Sequence, residues 1–209
     1  MIDYKKVDKK LYNPSKNGDL IHIPKMNFLS VSGKGDPNLA DGEYKKSIEL
    51  LYGVMYTLKM SYKTDYHIQG FQEFVVPPLE GFWWQTNLNG FDPSKKYLFE
   101  FISVLRLPNF IHKKDVDWAI EKISKKKKSD YSKVTIFTYD EGLVVQMLHI
   151  GPFSDEPETI DKMNKLVQES GYAIDLNDQR HHHEIYLSDP RKVTDEHLKT
   201  IIRHPIKKL

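Results

Sequence analysis

Among the residues of this 209-residue chain that could carry chemistry, the densest group is His181-His182-His183-Glu184-Ile185-Tyr186. In an extended strand alternate side chains share a face, so His182, Glu184 and Tyr186 point one way and His181, His183, Ile185 and Leu187 the other. Ile185 and Leu187 mark the second face as the core side. The first face then presents a carboxylate beside a phenol on a rigid element, a pair able to hold a cation or orient a water. The same spacing also suits an ordinary solvent-facing Glu/Tyr pair. Three successive histidines invite a zinc reading, but a strand splays neighbouring rings to opposite faces. Only His182 and Glu184 converge, with His149 a conceivable third ligand from another strand, so no metal site is expected.

Pro78-Leu79-Glu80-Gly81-Phe82-Trp83-Trp84 is the second stretch with chemical promise. Adjacent tryptophans in a strand face opposite sides, so Trp83 and Trp84 cannot both be core, and one is expected to line a cavity or a seam. Glu80 beside this aromatic group would suit a positively charged or polarisable ligand. Elsewhere the chain has no phosphate-cradling glycine loop, no nucleophile elbow and no zinc-protease helix. It has no cysteine, which removes disulfides, thiolate metal sites and cysteine nucleophiles.

The elements that must position these residues follow from periodicity. A polar stretch over residues 1–24 reads as an arm on the surface. Met26–Gly33 reads as a strand, and Tyr44, Ile48, Leu51, Tyr52, Met55 and Leu58 mark one face of a helix. Phe71–Val76, the LEGFWWQT stretch and Tyr97–Arg106 are strand-like, and Val116, Ala119, Ile120 and Ile123 mark a short helix. Val134–Tyr139 and Leu143–Ile150 flank Asp140-Glu141-Gly142 and predict a hairpin. A helix over about 155–170 carries Ile160, Met163 and Val167, the strand His181–Ser188 follows, and Thr194 is placed to cap a last helix bearing Leu198, Ile201 and Ile202.

Charge and hydropathy narrow the function classes. The formal net charge of +2 comes from 31 basic and 29 acidic residues. Lys125–Lys128 reads as a solvated helix end, and without a second basic cluster no nucleic-acid partner is expected. No apolar run approaches membrane-spanning length, the first residues lack an export signal, and a cytoplasmic location is expected.

PLEGFWW at 78–84, VVQMLHIGPFSDEPETIDKM at 144–163 and HHEIYLSDPRK at 182–192 together resemble the GyrI-like small-molecule-binding family, over roughly residues 20–206. The resemblance implies an α+β fold of two strand–helix–strand–strand repeats related by a pseudo-two-fold axis. Antiparallel sheets would carry helices on one face, with a ligand cleft between the repeats. It divides the chain into an arm (1–24) and one domain (25–209), with repeats at about 25–110 and 111–209. It implies a pocket for bulky aromatic or cationic molecules, with Glu184 and Tyr186 as catalytic candidates. Trp83, Trp84, Glu80, Phe101, Met147, His149 and His182 would bind the ligand, without cofactor or metal. Members similar to this chain hydrolyse cyclopropane-bearing DNA-alkylating compounds, which implies detoxification. The alternatives are a non-catalytic drug-binding or sensing protein and an adaptor that meets a protein partner.

Overall fold

The computed structural model describes residues 1–86 and 95–209. In chain order these form α1 (Tyr4–Val7), α2 (Lys9–Tyr12), β1 (Asp19–Ile23), β2 (Met26–Lys34), α3 (Glu43–Lys59), β3 (Leu79–Gln85), β4 (Phe99–Arg106), α4 (Lys113–Ser124), β5 (Thr135–Tyr139), β6 (Gly142–Ile150), α5 (Glu156–Glu169), β7 (Tyr172–Ile174), β8 (His182–Tyr186) and β9 (Lys199–Lys208). The protein is α+β, and its described strand ladders are antiparallel. The chain divides into two compact units, one of Met1–Asp3, Met26–Pro77 and Trp84–Tyr139, the other of Tyr4–Lys25, Pro78–Trp83 and Asp140–Leu209.

In the first unit β2 pairs β4 on one side and β5 on the other. The helix α3 packs on β2, β4 and α4. Its buried stripe is Ser47, Leu50, Leu51, Val54, Met55 and Leu58, rotated slightly from the stripe its aromatic residues suggest. Tyr44, Ile48 and Tyr52 are only half-buried, because long aromatic bodies can lie along the flank of a helix while smaller residues occupy its centre. Ser47 can sit in that core because its hydroxyl donates to Tyr44 O at 2.6 Å and lies 2.9 Å from the Ser103 hydroxyl, with which it is also hydrogen-bonded.

In the second unit the strands run β1-β6-β9-β8-β3, with β7 added to the end of β9. The helix α5 packs on β6 and β7, burying Met163 and Val167 against Val145, Met147, Ile202 and Ile206. Glu156 and Thr159 lie on that same inward stripe, at the i, i+3, i+7, i+11 spacing of a core-facing helix.

Four expectations from the sequence are corrected. β5 and β6 do not form a hairpin: β5 pairs β2, whereas β6 pairs β1 and β9. Asp140-Glu141-Gly142 is instead where the chain leaves one unit for the other, and Glu141 is buried at 4 % exposure in an ionic cluster. The last helix is absent. After a short turn at Asp195–His197 the chain runs through β9, where Ile201 and Ile202 are both fully buried. A strand covered on both faces reads as a continuous apolar run, and its β-branched residues and Pro205 disfavour a helix. Among the described residues Phe71–Val76 contributes an isolated bridge, Ile2 to Phe74, and no strand, consistent with Pro77-Pro78 truncating the ladder. The polar opening stretch contains β1 and buries Tyr4, Leu11, Tyr12 and Ile23. Its sparse apolar residues were too few to show periodicity.

Candidate functional site

The two faces of β8 diverge as alternation requires, and they do different work. On the inner face His183 is fully enclosed between two carboxylates. Its Nε2 meets Glu80 Oε2 at 3.0 Å and its Nδ1 meets Glu141 Oε1 at 2.9 Å. Phe82 stacks on the ring at 4.0 Å between centroids. Burial works against the charged imidazole, but Glu141 and then Glu80 outweigh it and raise its pKa. Burial likewise pulls Glu141 upward, and His183, Arg203 and Arg180 more than reverse it, so Glu141 stays ionised. Arg203 Nη1 lies 3.5 Å from Glu141 Oε2, and its Nε donates to Gln146 Oε1 at 3.0 Å. The opening segment closes the cluster: Tyr12 donates to Glu80 Oε1 at 3.0 Å, Arg203 to Leu11 O, and Gln146 Nε2 to Lys10 O.

The outer face carries the candidate site. Glu184 accepts from Tyr186 at 2.6 Å on Oε2 and from His182 Nε2 at 2.8 Å on Oε1. Both are short, charge-assisted contacts. Tyr186 in turn accepts from Trp83 Nε1 at 3.0 Å. Gly81 makes this possible. It lies opposite Glu184 in the β3–β8 register, and a Cβ there would fall 2.6 Å from Trp83 Nε1 and 3.3 Å from the Tyr186 hydroxyl. The indole therefore lies back along β3 over a position that only glycine leaves open. Phe153 meets Tyr186 edge-on at 6.0 Å and is 45 % exposed. The Trp83–Tyr186–Phe153 side of the site is thus aromatic, with one ring reaching solvent.

Glu156, at the first turn of α5, faces Glu184 from the other side, with a carboxyl oxygen of each within 4.8 Å of the other, close enough for the two carboxyls to interact. Burial, followed by the repulsion and hydrogen bond of Glu184, pushes Glu156 up to about 10. Burial acts the same way on Glu184, but His182, Tyr186 and the Glu156 hydrogen bond outweigh it and hold Glu184 below the usual carboxylate range. His182 Nδ1 meets His204 Nε2 at 2.7 Å. Burial, and then His182, lower His204 to about 3, so that ring stays neutral; its Nδ1 has no hydrogen-bond partner among the described residues. Paired groups whose environments drive their pKa values apart can serve as acid and base at one pH.

Among the described residues, Glu156, His182 and Glu184 form the cluster whose ligand-type atoms lie within 4.8 Å of one another. Those atoms already face each other in hydrogen bonds, so a divalent cation would have to displace both a proton and the His182–Glu184 contact. His181 and His183 do not join the cluster, in keeping with strand alternation.

The other sequence candidates are dispersed. Glu80 is 1 % exposed, with both oxygens taken by Tyr12 and His183. Trp84 is half-buried on the strand face opposite Trp83. Phe101 is in the core of the first unit, edge-on to Tyr44 at 5.3 Å. Met147 is core beneath α5. His149 is held by Thr159 Oγ1 at 2.8 Å and Pro152 O at 3.0 Å, which fixes the turn into α5. Sequence reasoning missed Glu156, His204 and Phe153. For Glu156 a signal existed, a glutamate in phase with Met163 and Val167 on the inward stripe.

Residues 19–207 match the model of the GyrI-like small molecule binding domain. Among solved structures, the chain is similar to an uncharacterized conserved protein from Listeria innocua, at 44 % identity and a TM-score of 0.94, over 99 % of this chain and 100 % of that one. A hydrolase from Listeria innocua is 43 % identical with a TM-score of 0.90, over 99 % of this chain and 100 % of the other. The EcmrR C-terminal domain shares the fold alone, at 12 % identity and a TM-score of 0.54, over 92 % of this chain and 98 % of that one. No curated protein matches the chain.

Proposed function

Since the chain belongs to the GyrI-like small-molecule-binding family, we propose that it binds flat aromatic molecules against the Trp83–Tyr186 face of β8 and hydrolyses those carrying a cyclopropane conjugated to a carbonyl. The observation that carries this reading is the Glu184 carboxylate held 2.6 Å from the Tyr186 hydroxyl on a rigid strand. In the reaction the water oxygen bonds to a ring carbon and the strained carbon–carbon bond breaks. The released electron pair moves through the conjugated system to the carbonyl oxygen, which takes up a proton. Glu184 accepts the proton lost by water, Tyr186 donates its own to the developing oxyanion, and the short Glu184–Tyr186 contact returns the proton to the phenol. Water is thereby added across the ring with no net proton change. Trp83 fixes the Tyr186 oxygen from behind, and the exposed Phe153 ring edge-on to Tyr186 offers a flat face to the ligand. The Listeria hydrolase at 43 % identity supports a catalytic reading.

A second reading is favoured by the hydrogen bonds on Glu184. A carboxylate that accepts from His182, Tyr186 and Glu156 is well stabilised as an anion and correspondingly weak as a base. Such a group suits a counter-charge for lipophilic cations in a binding or sensing protein. Incubating purified protein with a cyclopropane-bearing alkylator and analysing the products separates the two. Catalysis predicts a ring-opened hydrate and a loss of turnover of roughly a hundredfold or more in Glu184→Gln with binding retained. Bound but unchanged compound, with cation affinity falling in the same variant, would sink the hydrolase reading.

A further inference from the structure

We infer that Glu156 and Glu184 hold one proton between them, so that this carboxyl pair carries a single negative charge and is matched to neutral polarised or singly cationic ligands rather than dications. The assignment of ligand class rests on the outer face of β8 being the ligand site, whereas the shared proton does not. A carboxyl oxygen of Glu156 and one of Glu184 lie within 4.8 Å of each other, and two such groups can hydrogen-bond only through a proton between them, because two carboxylate oxygens offer only lone pairs. Glu156 is 8 % exposed, and its Oε1 has no hydrogen-bond partner among the described residues. Its other contact is Glu184. A buried anion left in that state is far costlier than a buried acid.

The groups around the pair distribute the charge unequally. From β8, His182 and Tyr186 both donate to Glu184. From β9, His204 lies behind His182 rather than against Glu156. From β6, His149 is taken by Thr159 and Pro152. From β7, Tyr172 packs on the distant Met163–Val167 part of α5. Glu156 begins α5, whose first turn favours negative charge, but burial prevails and the proton resides on Glu156. Glu156 is therefore a positioning residue: it acts through Glu184, donating a hydrogen bond that fixes the carboxylate and stores the site's exchangeable proton. The pair behaves as one titrating unit with two macroscopic steps, one in acid and one strongly alkaline.

Infrared spectroscopy of the intact protein tests this directly. The carbonyl stretch of a protonated, buried carboxylic acid is expected at neutral pH, to persist until about pH 10 and to vanish in Glu156→Gln. If Glu156→Gln fails to fold, Glu184→Gln serves instead. Removing the anionic partner should move the loss of the band to lower pH, and an unmoved band would refute the sharing. Absence of the band in folded wild-type protein at neutral pH, or stoichiometric metal retained at the cluster after chelator treatment, would overturn the proposal. The ligand class is tested separately with a tetraaryl monocation and a rigid aromatic dication. Affinity for the dication should rise roughly tenfold or more as the second charge appears above pH 10, and this rise should be missing in Glu156→Gln. A confirmed acid band with no such rise would mean that the dyad exists but the ligand class is wrong.

Discussion

Glu184 and Tyr186 show what a single strand can disclose at the level of residues. Period-two alternation alone separates His182, Glu184 and Tyr186 from His183 and Ile185, and the structure keeps that separation, with His183 and Ile185 fully buried. What alternation cannot supply is the partner from another element. Glu80 and Glu184 look alike in sequence, each an acid near aromatic residues, yet Glu80 is sealed by Tyr12 and His183, and Glu184 is met by Glu156. Sixty-eight residues separate Tyr12 from Glu80, a distance that local periodicity does not span. Gly81 belongs to this scale because its missing side chain is the space that Trp83 occupies. In Gly81→Ala the new methyl would stand 2.6 Å from Trp83 Nε1, and a rigid indole has no flexible end to yield. The Trp83–Tyr186 hydrogen bond should break, with a change in tryptophan fluorescence and a loss of aromatic-ligand affinity of about tenfold, equivalent to roughly 1.4 kcal/mol. Unaltered emission and affinity would show that the indole does not brace Tyr186.

At the scale of elements, strong patterns were legible and shared ones were not. α3, α4, α5 and β8 lie where periodicity put them, because each buries one face, whereas β2 and β4 are buried on both faces over Phe28–Val31 and Ser103–Arg106 and were marked by their length and by the turn residues that end them. β9 is buried on both faces, which erases alternation, and Leu198, Ile201 and Ile202 then imitate a helical stripe. β5 and β6 were found as strands, but their partners were not, since a short polar connection resembles a hairpin turn whether or not the flanking strands pair. The inner face of β8 depends on His183 as the cation between Glu80 and Glu141. His183→Gln keeps a polar group but removes that charge, leaving two buried carboxylates short of a partner. Denaturant unfolding should show a loss of about 3–5 kcal/mol, partly recovered when Glu80→Gln is added, and no recovery would contradict the pairing. pH acts on neighbouring strands with opposite sign. The raised pKa of His183 contributes stability that is present below the unfolded value of 6.5 and lost as pH rises through its folded value. The lowered pKa of His204 makes stability fall as pH drops from 6.5 towards about 3. Unfolding monitored between pH 7 and pH 4 should therefore be less acid-sensitive in His204→Leu, and an equal acid slope would exclude His204 as its source.

At the scale of the whole molecule the chain order conceals how each unit is assembled. The second unit is drawn from three separate segments, Tyr4–Lys25, Pro78–Trp83 and Asp140–Leu209, so no contiguous stretch contains it. Composition and local pattern describe contiguous stretches, which is why the opening residues read as a polar arm although they supply an edge strand and three contacts to a buried ionic cluster. β1 covers one side of β6 along Asp19–Ile23, while the backbone carbonyls of Lys10 and Leu11 and the Tyr12 hydroxyl satisfy Gln146, Arg203 and Glu80. Deleting residues 1–25 would leave Arg203, at 1 % exposure, and Glu80, also at 1 %, without those partners, and unsatisfied buried polar groups cost roughly 1–3 kcal/mol each, more when charged. Hydrogen exchange read by mass spectrometry should then show faster exchange in peptides from β6, β8 and β9. Peptides from α3 in the first unit should change far less, because that unit loses only Met1–Asp3 and the Ile2–Phe74 bridge. Equal acceleration in α3 and β9, or none in either, would show that the opening segment is not a structural part of the second unit in particular.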